Sequence, residues 1–178
     1  MSKKSQKTIL EKTGFKSFSQ GIREITGWSQ KEFETQKRVM RMRVSNLNKV
    51  AGTNLSAIEE LFYKVKYEDR AKYYASKGKE VYEPSPIQKA LQDIKTTKVK
   101  TTPSARQMEV AKKYVFDKFE GLSKTYKNAN EVMQKLNNGE ITPKEANDQL
   151  TKVANDLKVL RKNDVASWAS QQDENYGS

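Results

Sequence analysis

The chain has 178 residues, no cysteine, no histidine and a formal net charge of +12, with 35% of its residues hydrophobic. The missing side chains exclude disulfides, thiolate or imidazole metal sites, cysteine nucleophiles and histidine general bases. Against a usual apolar share of about 45–50%, the lean composition points away from one thick core and towards elongated helices with narrow apolar stripes.

The charge is unevenly placed. Residues 1–50 carry 12 Lys/Arg against 4 Asp/Glu, residues 51–100 carry 10 against 7, and residues 101–178 carry 12 against 11. The positive excess belongs to the first half, as in a polyanion-binding arm joined to a near-neutral body. The opening MSKKSQKTIL has no apolar run long enough for a secretory signal, and nowhere do about 20 apolar residues run together. The chain is therefore expected to be neither secreted nor membrane-spanning.

Residues 1–28 read as a basic tail followed by a short helical cover, in which Phe15, Phe18, Ile22 and Ile25 recur at helical spacing between Gly14, Gly21 and Gly27. These apolar residues are expected to fold back on Phe33 and Met40. Residues 29–94 read as a basic helical nucleic-acid-binding region. Its first helix opens on the capping-box pair Ser29 and Glu32 and closes on Gly52. Phe33, Met40, Val44, Leu47 and Ala51 share one face, while Lys37, Arg38, Arg41, Ser45, Asn48 and Lys49 fill a broad sector opposite. Lys37, Arg38, Arg41, Arg43 and Lys49 are the candidate phosphate contacts on this helix.

A second helix is expected between a Ser56/Glu59 capping box and Gly78, burying Ile58, Leu61, Phe62 and Val65. Along it, Tyr63, Tyr67, Arg70 and Tyr74 run at i, i+4, i+7 and i+11. Tyr63, Tyr67 and Tyr74 beside Lys66, Arg70 and Lys77 are candidates to stack bases while the cations hold phosphates. The alternative is that the rings pack on a neighbouring helix with their hydroxyls in water. Glu59, Glu60, Glu68 and Asp69 read as solvated surface charges. Ser85, Pro86 and Gln88 then start a short helix with Ile87, Ala90, Leu91 and Ile94 on its apolar side.

Residues 95–103, KTTKVKTTP, are β-branched and basic without apolar periodicity, and read as a linker. Lys95, Lys98 and Lys100 are further candidate polyanion contacts. From Met108 an apolar residue recurs every seventh position through Val115, Leu122, Ala129 and Leu136, with a partner row of Lys112, Phe119, Tyr126 and Met133. That is a coiled-coil-like seam, with room for one helix restart at Asn128 and Glu131. After Asn137-Asn138-Gly139, Thr142-Pro143-Lys144-Glu145 begins a last helix carrying Leu150, Val153, Leu157 and Leu160. Residues 104–170 are thus expected to form an antiparallel αα-hairpin, the surface for any homo-oligomer, before a frayed tail at 171–178. The fold class is all-α.

The sequence contains neither a GxxxxGK[ST] nor a GxGxxG loop. With these and the histidine and cysteine chemistries gone, no catalytic residue, metal site or cofactor is assigned. The segment Ser29-Gln30-Lys31-Glu32-Phe33, followed by Arg38, Arg41, Arg43 and Val44-Ser45-Asn46-Leu47-Asn48-Lys49, resembles a stretch of the genome-linked terminal proteins of small tailed phages. These prime DNA replication with a protein. Gln30 stands where that family leads one to expect arginine. The resemblance implies a basic helical protein without an active site of its own. A C-terminal hydroxyl, with Ser167 and Ser170 in the corresponding region, would receive the first nucleotide from a phage DNA polymerase. It also implies the host cytoplasm or the virion interior as the location.

Three readings follow. The first is a sequence-nonspecific DNA-binding protein of terminal-protein type. The second is an internal virion core or scaffolding protein that contacts packaged nucleic acid and capsid or portal proteins. The third is a basic amphipathic membrane-surface protein inserting Phe15, Phe18 and Trp28 among lipids.

Overall fold

The computed structural model describes residues 10–80, 83–97 and 102–157. The architecture is all-α, with no strand among the described residues. Residues 10–13 are helical, and the chain continues through α1 (Phe18–Thr26), α2 (Gln30–Ala51), α3 (Ala57–Ser76), α4 (Pro86–Asp93), α5 (Ala105–Lys118), α6 (Glu120–Thr125), α7 (Lys127–Asn137) and α8 (residues 143–157).

α2 is the axis of the fold and packs against α3, α4 and α5. Its start is the expected reciprocal box: the Glu32 amide donates to Ser29 Oγ at 3.2 Å and the Ser29 amide to Glu32 Oε2 at 3.3 Å. Its end is Gly52 at φ +70, a left-handed conformation that costs a residue with a Cβ far more than glycine. All five residues of the expected apolar face are buried.

The cover formed by α1 lies on α3 more than on α2. Phe15 meets Phe62 edge-on at 6.0 Å and Phe18 meets it at 5.2 Å. Gly21 makes this approach possible, because a Cβ there would lie 2.7 Å from Phe62 Cε2 and 2.8 Å from Phe15 Cδ2. Phe18, Ile22, Phe33 and Met40 share one buried cluster, and the close ring contacts of the cover are with Phe62, which Gly21 admits.

α3 lacks the capping box expected of Ser56 and Glu59, since Ser56 makes no side-chain cap bond. Glu59 is instead buried and accepts a hydrogen bond from Tyr63 Oη at 2.9 Å. The Ser85 cap and Pro86 start of α4 form as expected. Ser104 and Gln107 make a full capping box at α5 that the seam pattern alone did not signal.

The helix expected to run from Met108 to Leu136 is broken into α5, α6 and α7. Phe119 departs from helical geometry, and Tyr126 is fully extended at φ −120, ψ 129. Gly121, Ser123 and Thr125 lie between them, and the Ser123 and Thr125 hydroxyls donate to the backbone carbonyls of Glu120 and Gly121. Low propensity and this back-bonding weaken the helix where the seam asked it to continue. The restart comes at Lys127, before Asn128. α7 lies against both α5 and α6. Lys112, the polar member of the seam, reaches across to the Asn137 carbonyl at 3.2 Å, a cation at a helix C-terminus.

The core does not divide at the 95–103 segment. Val110, Ala111, Tyr114, Val115, Ala146 and Leu150 belong to the same buried cluster as Ile22, Met40, Leu47 and Phe62.

Candidate nucleic-acid interface

The sequence-nominated cations on α2 fall on two sides of the helix. At about 100° per residue, Arg38, Arg41, Ser45 and Lys49 lie within about 80° of one another, while Arg43 is about 200° from Arg41. Arg38, Arg41 and Lys49 are exposed. Lys37 is half-buried with its ammonium 5.7 Å from the Phe33 ring centroid. Arg43 sits with Asn46 on the other side, and its Nε is buried without a hydrogen-bond partner.

Arg41, Ser45, Asn48 and Lys49 form one wall of an open groove of about 610 Å³. Val44, Leu55 and Ala57 line its apolar part, and Lys144 from the start of α8 completes it. Three cations face this groove and no carboxylate lines it. Among the described residues none of the three is paired with an acid. Unopposed cations along an open concavity are suited to the phosphates of a nucleic-acid backbone.

Two residues build the groove without supplying charge. Asn48 fastens the loop between α2 and α3: its Oδ1 accepts from Thr53 Oγ1 at 2.7 Å and from the Leu55 amide at 3.0 Å, and its Nδ2 donates to the Leu55 carbonyl at 3.2 Å. Its side chain is thereby occupied. Gly52 leaves room for Lys144, whose Cγ would lie 2.7 Å from a Cβ at that position. Lys144 was not legible as a site residue, because nothing local marks a lysine in a helix start as lying beside residues a hundred positions earlier.

Asn46 holds the basic linker. Its buried Nδ2 donates to the carbonyls of Lys95 at 2.6 Å and Thr97 at 2.7 Å. The linker's first lysine is therefore fixed beside α2, with the Lys95 side chain exposed. Lys98 and Lys100 lie outside the described residues, as do Ser167 and Ser170.

On α3 the nominated aromatics separate. Tyr63 is half-buried beside Phe62 of its own helix, and its hydroxyl donates to the buried Glu59 rather than lying in water. Tyr67 and Tyr74 are half-buried, and Arg70 is exposed. Lys66 stands 5.4 Å from the Phe62 ring centroid, and burial, with Arg70 close by, lowers its pKa.

Glu59 and Glu60 are not surface charges, since both are buried. Gln88 Nε2 donates to the Glu60 carboxylate and to its backbone carbonyl. Burial, then the neighbouring Glu59, pushes the Glu60 carboxyl up to about 7 against the lowering effect of Gln88. Tyr114 Oη is buried without a partner, and burial followed by the charge of Glu60 pushes the phenol up to about 12. Neighbouring carboxyls turned inward at a helix start leave no pattern distinct from solvated ones.

Between α4 and α5 lies a cavity of about 200 Å³ lined by Lys89, Arg106 and Lys113 but equally by Asp93, Glu109 and Asp117. Its balanced charge gives it no preference for a polyanion. Among the described residues no three His, Cys, Asp or Glu side chains gather as a metal would require, and no helix is long and apolar enough to cross a membrane. Compared with known protein families, curated proteins and solved structures, the chain matches none.

Proposed function

We propose that the chain is a non-enzymatic nucleic-acid-binding protein that holds a phosphate backbone, without sequence preference, in the groove between α2 and the start of α8. The observation that carries this reading is the convergence of Arg41, Lys49 and Lys144 on one groove without an opposing carboxylate. Side chains suited to bidentate base recognition are few in the groove: Asn48 is committed to its loop, which leaves Arg41 as its sole guanidinium. Binding is therefore expected to follow charge and salt rather than sequence.

The test is affinity for duplex DNA as a function of salt, with the Arg41→Ala, Lys49→Ala, Lys144→Ala triple variant beside the unsubstituted chain. Three phosphate contacts contribute about 2.7 to the log–log slope, at roughly 0.9 each, and the variant should lose that amount. An unchanged slope removes the groove from the binding surface. Phe18 is buried and Phe15 is packed on Phe62, so the membrane-surface reading loses two of its three inserting rings. The segment resembling terminal proteins supplies the α2 wall of the groove, which favours a replication-linked role as the second reading. A nucleotide adduct formed with a protein-primed polymerase would select it.

A further inference from the structure

α3 runs well beyond the core. Its buried residues end at Val65, and residues 66–76 bury none. On that projecting end, about 16 Å long, Lys66, Arg70, Tyr73 and Lys77 follow one another at i, i+4, i+7 and i+11. They lie within about 60° of arc, a single stripe of three cations and one aromatic ring.

Tyr73 is 60% exposed, and among the described residues the other exposed large hydrophobic side chain, Met42, is less open at 39%. The Tyr73 ring meets Tyr74 at 5.6 Å and 78°, and Lys77 Nζ stands 5.8 Å from its centroid. These contacts steady the ring without covering it. Among the described residues neither Lys66 nor Arg70 is paired with a carboxylate, and Glu68 pairs with Lys64. The two cations crowd one another, and that crowding adds to burial in lowering the Lys66 pKa. An incoming phosphate would relieve it.

An open ring flanked by unpaired cations is what base stacking with phosphate contact requires. In a duplex the faces of the bases are covered by their own neighbours, so such a ring finds a partner only on a single strand. We infer that the outer end of α3 is a single-strand contact, where Tyr73 stacks on a base while Lys66, Arg70 and Lys77 hold the flanking phosphates. This rests on the reading of the α2 groove as a phosphate site and names the state of the strand it takes.

The experiment is fluorescence anisotropy on the full chain with three probes: a single-stranded oligonucleotide of about 20 residues, the duplex of the same sequence, and an abasic oligomer of the same length. Stacking on one ring is worth about fivefold in affinity at the lower end of its range. Tyr73→Ala should weaken single-strand binding by about that factor, in the deoxyribo or ribo form, and leave duplex and abasic binding unchanged. Tyr73→Phe should bind as the unsubstituted chain does. Equal losses on all three probes, or no loss on the single strand, overturn the inference while duplex binding leaves the groove reading standing. An unsubstituted chain that binds none of the probes overturns the groove reading and this inference with it.

Discussion

Glu60 illustrates how much a single buried carboxyl changes. Tyr63 and Glu59 on its own helix, Gln88 on α4 and Tyr114 on α5 surround it, and none of these is a cation. With no positive charge to offset desolvation, the protonated form is favoured in the folded state. The folded pKa of about 7 lies above the ordinary 4.5, so the contribution to stability is full below about 4.5 and is lost as pH rises through 7. At about 1.4 kcal/mol per unit the effect is on the order of a few kcal/mol. The thermal midpoint should therefore fall between pH 5 and pH 8, and Glu60→Gln should flatten that dependence. A midpoint that falls equally in the variant would assign it to other groups. From the sequence Glu59 and Glu60 read as solvated charges, with Glu59 also a capping partner, because whether a carboxyl faces inward is decided by the helices that pack on it.

At the scale of elements, starts and stops were read more surely than continuity. The Ser29 box, Gly52, Ser85 with Pro86, and the Gly78 stop depend on a few adjacent residues, and all stand where the sequence placed them. The seam residues from Val115 to Leu136 are buried or half-buried as their seven-residue spacing implied. Their helix is nevertheless broken, since burial of a stripe does not require one rod when Gly121 and Tyr126 let the chain fold back. The α1–α3 contact gives a direct test at this scale. Gly21→Ala places a methyl within 2.8 Å of two rings, and overpacking of this kind costs about 1–3 kcal/mol. Denaturant titration should show a lower midpoint with an unchanged slope. No loss of stability would mean that the two rings shift freely, contrary to their tight packing.

Across the whole molecule, the division into a basic first half and a near-neutral second half is clear in charge but not in packing. The charge of each segment is a sum over its residues and is legible directly. The shared core is not, because α2 meets α5 across the 95–103 segment through contacts that no local pattern encodes. The same holds for the site: Arg41 and Lys49 were visible on one helical face, whereas Lys144 enters only through the fold, beside Gly52. Asn46 is a related case, a polar residue on a helix whose use is to hold the backbone of the linker.

The groove joins residues 41–49 to residue 144, so it exists only when both ends of this stretch are folded together. A strand bound in it, as proposed, would tie them together, and its binding energy would become folding energy by linkage. At a free concentration one hundred times Kd, such a ligand stabilises the folded state by about 2.7 kcal/mol. Nucleic acid should raise the unfolding temperature of the unsubstituted chain in proportion to the logarithm of its concentration. The Lys144→Ala variant should show a smaller rise at equal concentration, and an equal rise would place the ligand elsewhere. A chain released from its strand would then be the less durable form, more open to proteolysis between α7 and α8 than the same chain on its nucleic acid.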